Sequence, residues 1–439
     1  MKLNVIIVLI DSLRAKNLSL FGYPKEFDTN IKKIASESTV FSNHFSASNA
    51  TYPSITSLFT GKYPINNGIV HTYPWTPSEE INRLKQNKFW LPSYLRKIGY
   101  DTFFISLSGV WLKNGFEHIQ EEIKKDAYKK ITSKTIIKKT IKLFPNWFYV
   151  LLKKIIKRDP ESNIIPGEKI VDSSISKIKS SKKPFFMFIH FEDVHYPWSL
   201  TRTPNIKGKK TVRKILKELD STPQKKEFKR SMFNVRANSL EQVEAKYNLS
   251  IKSADNEIGR FYNFLKKEKL LDNSIFILLG DHGMSIDEHF YLSHTGLYDE
   301  LIKVPLIIRF PGIKPRVISN LVQNIDIAPT ILDIINKKEN LQLDGGSLLA
   351  VAKTGKSIRD KIFAFDALSE KRWCVRTINQ KIIFSEGKKC FSCKGEHGEE
   401  IEAYNLKKDT EELNNLYSDE IKLMDFNPNF NYNKILKYD

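Results

Sequence analysis

Short apolar runs recur along this chain with helix-patterned stretches between them, and that alternation limits the fold more than any other feature. The runs are NVIIVLI at 4 to 10, TFFIS at 102 to 106, PFFMFIHF at 184 to 191, SIFILLG at 274 to 280 and VPLIIRF at 304 to 310. Rich in branched and aromatic residues, each reads as a central strand buried on both faces. Between them NIKKIASES, LPSYLRKIG and LSIKSADNEIGRFYNFLKKEKL carry helical spacing. Alternation of this kind over roughly the first 335 residues predicts an α/β layered sheet. Ligand chemistry in such sheets gathers where strands end at their C-termini. Asp11, His195 and the adjacent pair Asp281 and His282 all follow apolar runs closely.

From about residue 356 the pattern changes to IFAFDAL, KRWCVRTINQKIIFSE and EIEAYNL, strands without long helices between them. Two units are therefore expected: 1–355, with basic insertions at about 120–160 and 200–240, and a small antiparallel unit at 356–439. Residues 124–158 hold twelve Lys or Arg against one Asp around LFPNWFYVLLKKII. Such a segment suits either a peripheral contact with anionic lipid through 131–158, Trp147 and Phe148 inward, or an amphipathic lid packed on the domain. Residues 201–236 read as basic, polar and poor in periodic apolar pattern.

A chain of 439 residues with 41% hydrophobic and 12% aromatic residues can bury a large core and is not a disordered chain. No apolar run approaches the length of a membrane span. The apolar stretch near the N-terminus is seven residues long with no small-residue cleavage site after it, and the three cysteines lie beyond residue 370. Both point to a soluble protein of a reducing cytoplasm, with the inner membrane face as a peripheral site. The net charge of +20 suits nucleic acid, an anionic membrane surface or an anionic substrate. Neither zinc-finger spacing nor a glycine-rich phosphate loop is present, so no nucleic-acid partner is expected.

The stretch SNATYPSITSLFTGKYP, 48–64, places Thr51 two residues before Pro53. Proline fits the first turn of a helix, whose free N–H groups welcome an anion. Thr51 or Ser48 could simply cap that helix; alternatively the Thr51 hydroxyl is a nucleophile. Two carboxylates and an imidazole at strand ends, Asp11, Asp281 and His282, could converge on one divalent cation, with Mn, Mg, Ca and Zn not distinguished. Such a cation, with Thr51 among its ligands, would activate the hydroxyl for attack on an ester phosphorus or sulfur. CFSC at 390–393, with Cys374 before it and His397 after, is a candidate structural zinc site.

These residues resemble the alkaline phosphatase and sulfatase superfamily along most of the chain. NVIIVLIDSLRAKNLSLFGY resembles its opening strand and metal aspartate, and FIHFEDVHYPW its strand carrying an active-site histidine, here His195. The segment ending in SIFILLGDHG resembles its second metal strand. The resemblance implies a three-layer sandwich with a large, mostly parallel sheet and a small C-terminal antiparallel subdomain. It also implies an anionic ester substrate, carried on a glycan or a lipid. In sulfatases of the common type the nucleophile position holds Cys or Ser with Arg four residues on, for conversion to formylglycine. This chain has Thr51 and Ile55, and Ser12 where a second aspartate is usual. Direct attack by threonine is the implied route, as in the phosphodiesterases and the phosphoglycerol and phosphoethanolamine transferases of the superfamily. His195 is the expected stabiliser or proton donor of the leaving oxygen. His294, Lys62 and Arg14 are candidate substrate contacts. The leading expectation is a metal-dependent hydrolase of phosphate or sulfate esters. A transferase to glycan or lipid shares the first half-reaction, and a non-catalytic protein that holds anionic glycans is the rival from another class.

Overall fold

The computed structural model describes residues 2–106, 109–120, 164–181, 183–219, 222–286, 288–290, 292, 294–337, 341–392, 395–396 and 398–417. Its strands are β1 (Asn4–Ile10), β2 (Thr39–Phe41), β3 (His44–Phe45), β4 (Asp101–Ile105), β5 (His118–Ile119), β6 (Phe185–Phe191) and β7 (Ser274–Gly280). They continue with β8 (Leu306–Arg309), β9 (Arg316–Ile318), β10 (Val322–Gln323), β11 (Ile362–Phe365), β12 (Ser369–Arg376), β13 (Gln380–Cys390) and β14 (Ile401–Asn405).

One sheet dominates, in the order β5-β4-β6-β1-β7-β8-β2-β9. Its members pair in parallel except at β8, which runs antiparallel to both β7 and β2. The run 304–310 is thus a shorter strand of opposite direction, a polarity that an apolar run cannot encode. Strands β1, β6 and β7 are buried at every position, which is why their sequences show no alternation. Their side chains still alternate in space. Val5, Ile7 and Leu9 belong to one core, Ile6, Val8 and Ile10 to the other.

The helices that matter for layering are α1 (Thr29–Ser36), α2 (Thr51–Thr60), α3 (Leu91–Lys97), α4 (Gly167–Ser180), α5 (Val212–Glu218), α6 (Thr222–Val235) and α7 (Leu240–Lys267). The first core takes Ile55, Leu58 and Phe59 from α2 with Leu91 and Leu95 from α3. The second takes Ile31 and Ile34 from α1, Ile170 and Val171 from α4, and Val243, Ile251, Ile258 and Phe261 from α7. Helices on both faces of the sheet make a three-layer sandwich. Segment 201–236, expected to lack apolar pattern, instead contributes α5 and α6. Ile215, Phe228, Met232 and Val235 join the second core. The last three sit four and three residues apart, a narrow helical stripe in a lysine-rich background.

Strands β11 to β14 form a separate antiparallel sheet in sequence order. Beneath it Lys381, wholly buried, lies 2.7 Å from Asp299 and 2.7 Å from Glu412. Arg376 adds a second cation on Asp299. A buried ammonium is tolerable only with such partners, and these tie the small sheet to the 294–302 segment of the large unit. The basic segment 131–158 falls outside the described residues, as do Cys393 and His397 of the candidate zinc set. Among the described residues no helix is long and apolar enough to cross a membrane.

Candidate active site

Register alone brings two carboxylates together. In β1 and β7 Ile10 pairs with Gly280, so the next residues, Asp11 and Asp281, emerge side by side one inter-strand step apart. His282 follows at once. Ligand atoms of Asp11, Asp281 and His282 all lie within 4.8 Å of one another, and all three residues are buried. The turn after β7 is packed against backbone. A Cβ on Gly283 would stand 1.9 Å from the Glu300 carbonyl oxygen, which only glycine allows.

Thr51 reaches the same point from the opposite direction. The N-cap of α2 is Ala50, with no side-chain cap bond, and Thr51 is the first helical residue. Of the two readings of its hydroxyl, capping is therefore not the one observed. Thr51 Oγ1 lies 3.2 Å from His282 Nε2 and 3.5 Å from Asp11 Oδ2. Apolar packing of Ile55, Leu58 and Phe59 holds the helix in that register. Ile55, standing where arginine is usual in the common sulfatases, is fully buried.

His282 Nδ1–H donates to the Gly283 carbonyl at 2.7 Å, which leaves the Nε2 lone pair facing the carboxylates. Burial pushes the His282 pKa down, favouring that neutral ring. Asp281 Oδ1 accepts from the backbone N–H groups of Ser12 and His282, at 3.0 and 2.8 Å, while Oδ2 is buried with no hydrogen-bond partner. Ser12 sits at φ +58°, a left-handed conformation costly for a non-glycine residue. That twist aims its N–H at Asp281, and Tyr247 from α7 secures it by donating to the Ser12 carbonyl at 2.8 Å.

Burial and the neighbouring Asp11 push Asp281 up to about 7. Burial would raise Asp11 too, but His195, His190 and His282 outweigh it and hold Asp11 well below the usual carboxylate range. Two buried carboxylates this close do not both ionise comfortably without a cation. An orphaned carboxylate oxygen, an unprotonated imidazole nitrogen, a second carboxylate and a hydroxyl form a donor set that fits a divalent metal ion.

His190 was not singled out by its sequence, yet it is central here. It lies within β6 and is wholly buried, with Nε2 3.2 Å from Asp11 Oδ2 and Nδ1 3.0 Å from Ser106 Oγ. Burial opposes its charge, but Asp11 prevails and raises it to about 9. The one available signal was a histidine inside an otherwise apolar strand.

His195 and His294 line a cleft of about 280 Å³ together with Asp11, Thr51, Tyr52, Thr72, Tyr73, Trp75 and Glu192. His195 sits in the turn that follows β6, its N–H on the Glu192 carbonyl at 3.0 Å. The His294 ring lies 4.7 Å from that of His282 and donates Nδ1–H to the Asn49 carbonyl at 2.8 Å. Burial and His282 push it down to about 3, so the neutral ring offers the cleft an acceptor. Asn49 Nδ2 in turn bonds the His294 carbonyl and Asp366, at 2.8 Å each, joining the Thr51 segment to the small sheet.

Two expected substrate contacts are not in the cleft. Arg14 is buried and committed to Glu288 through both terminal nitrogens. Lys62 lies past the far end of α2, about 15 Å along the helix from Thr51, where it lines a separate cleft with Asn66 and Arg83. Cys374 and Cys390 are buried thiols that form no disulfide.

A family model described as Sulfatase matches residues 3–337, and one described as N-sulphoglucosamine sulphohydrolase, C-terminal, matches 287–425. The chain is 26% identical over 396 residues to an ulvan-active sulfatase of Formosa agariphila, covering 88% of this chain and 62% of that protein. It is 28% identical over 342 residues to the N-acetylglucosamine-6-sulfatase of Homo sapiens, covering 71% of this chain and 58% of the relative. The chain thus spans about three fifths of the length of these two relatives. In three dimensions it is similar to the phosphonate monoester hydrolase of Agrobacterium radiobacter, with a TM-score of 0.64 at 18% identity over 95% of this chain and 92% of that one.

Proposed function

Because the chain belongs to the sulfatase family, we propose that it is a divalent-metal-dependent hydrolase of sulfate or phosphate esters borne on a glycan, with Thr51 as nucleophile. The observation that carries this reading is the Thr51 hydroxyl at a helix start, 3.2 Å from His282 Nε2 and 3.5 Å from Asp11 Oδ2. A divalent ion held by Asp11, Asp281, His282 and Thr51 Oγ1 would supply Lewis-acid polarisation of the ester oxygen and a lowered hydroxyl pKa.

The remaining roles belong to the chain. Free N–H groups at the start of α2 receive the anionic ester and the charge that grows on its oxygens. Thr51 Oγ1 forms a bond to sulfur or phosphorus as the bond to the alcohol oxygen breaks. The Thr51 proton passes to solvent in the cleft as the hydroxyl attacks, and His195 gives one to the departing oxygen. Water then cleaves the threonine ester, releases inorganic sulfate or phosphate and restores the hydroxyl. With threonine at this position and Ile55 four residues on, attack without conversion to formylglycine is the route this chain supports. The named activity of the human relative on N-acetylglucosamine 6-sulfate groups supports a sugar ester as substrate.

The test is a screen of sugar sulfates, phosphomonoesters and phosphodiesters with metal-loaded protein and its Thr51→Ala variant, read by ester cleavage and by intact mass. Cleavage by the wild type alone, with a trapped sulfo or phospho adduct on Thr51, is the expected result. Equal cleavage by both proteins would remove Thr51 from the chemistry. Absence of cleavage together with no thermal shift from any divalent ion would remove the enzyme reading.

A further inference from the structure

Two exposed aromatic side chains stand at the mouth of the Thr51 cleft, and none of the steps above uses them. Tyr73 is 53% exposed and Trp75 38% exposed, yet both line the same cleft as Thr51, His195 and His294. Tyr73 is supported in depth. The Tyr73 ring lies 5.8 Å from that of Tyr52, and Tyr52 lies 5.0 Å from Trp111. Trp111 is fixed in turn by its Nε1–H bond to Thr56 Oγ1 of α2 at 2.9 Å. The loop itself is pinned at several points. Thr72 N–H bonds the Ala367 carbonyl at 3.2 Å, Trp75 N–H the Thr72 carbonyl at 2.9 Å, and Thr76 Oγ1 the His71 carbonyl at 3.0 Å. The loop thus presents both rings to the cleft from a fixed backbone.

We infer that Tyr73 and Trp75 form a stacking platform for the sugar ring that carries the ester, and so select cyclic over acyclic alcohols. The inference rests on the ester-hydrolase reading. A pyranose has an apolar C–H face and a rim of hydroxyls. Aromatic faces match the first, while the Tyr hydroxyl, the indole N–H, Thr72 and Glu192 offer partners for the second. An ester on a carbon outside the ring lets the anionic head reach Thr51 while the ring remains at the mouth. The cleft, of about 280 Å³, has room for the ester head beneath a ring stacked at its mouth. An acyclic alcohol has no such face to stack.

The experiment compares the 6-sulfate and 6-phosphate of glucose with the corresponding esters of glycerol, using wild type, Tyr73→Ala, Trp75→Ala and the ring-keeping Tyr73→Phe and Trp75→Phe. Both alanine variants should raise KM for the glucose esters roughly tenfold with kcat little changed. The glycerol esters should be unaffected, and phenylalanine should restore most of the loss. Equal effects on both alcohols, or none on either, would overturn the platform. Binding of glucose 6-sulfate and glucose 6-phosphate to metal-loaded Thr51→Ala protein, followed by calorimetry, separates this inference from the catalytic one. If the wild type cleaves nothing but binding weakens when Tyr73 and Trp75 are both replaced by alanine, the platform stands and the hydrolase reading falls. Unchanged binding, or no binding of either ester, sinks the platform.

Discussion

His282 donates its Nδ1 proton to the carbonyl of the next residue, Gly283, at 2.7 Å. That bond decides the tautomer, and with it which nitrogen faces Asp11 and Asp281. A divalent ion should therefore bind the folded protein and raise its melting temperature. At a hundredfold excess over Kd the rise expected is about 3 °C. Thermal unfolding with each of Mn, Mg, Ca and Zn, against a chelator control, measures it. In His282→Ala and Asp281→Asn the increment should vanish.

Thr51→Ser and Thr51→Ala separate chemistry from folding. The residue is half-buried and its hydroxyl caps nothing, so both variants should melt close to wild type. Serine should retain activity within about a hundredfold, whereas alanine should lose roughly a thousandfold or more in kcat. A fully active alanine variant would be incompatible with a threonine ester.

His190→Ala removes a wholly buried partner from Asp11 and from Ser106. Leaving buried polar groups without partners costs about 2–4 kcal/mol. Denaturant unfolding should show that loss. His190→Ala should also weaken the metal-induced thermal shift, since Asp11 is no longer oriented from its β6 side.

Stability should depend on pH through His71. Burial opposes charge on this ring, but its 2.6 Å contact with Glu80 wins and raises its pKa above 6.5. The folded state thus binds the proton more tightly than the unfolded one. The stabilisation is fully present below about 6.5, the unfolded value, and is lost as pH rises through the folded value. Melting temperatures from pH 6 to 9 should fall more steeply in wild type than in His71→Gln. The same contact braces the loop that carries Tyr73 and Trp75.

Gly283→Ala would drive a Cβ to 1.9 Å from the Glu300 carbonyl oxygen. Backbone cannot swing aside as a side chain can. A loss of about 3 kcal/mol or more is expected, with metal affinity falling alongside because the turn positions His282. Denaturant unfolding and the metal-induced shift together measure both effects.

What could be read from residues alone was the part written in continuous apolar runs and their ends. Asp11 and Asp281 were legible because a carboxylate directly after a buried strand demands an explanation. The convergence of Thr51 was legible because a hydroxyl before Pro53 marks a helix start. His190 escaped because a histidine in a strand looks like one more core residue until Asp11 is seen beside it. Arg14 misled for the reverse reason: its partner Glu288 lies 274 positions away, and no local pattern announces such a pair. Lys62 misled through helix length, since ten residues of α2 carry it to the opposite end. The α5 and α6 helices were hidden by lysines around a stripe of few apolar residues, and Tyr73 and Trp75 by lying in a loop with no periodicity.

The in-register pairing of Ile10 with Gly280 has a last implication. Because both acidic groups depend on hydrogen bonding between neighbouring strands, their separation is set by the stiffest material in the molecule. Surface segments around the rim can lengthen, shorten or change composition across descendants without disturbing that spacing. New alcohols could be adopted by rewriting the rim while the reacting centre stays calibrated.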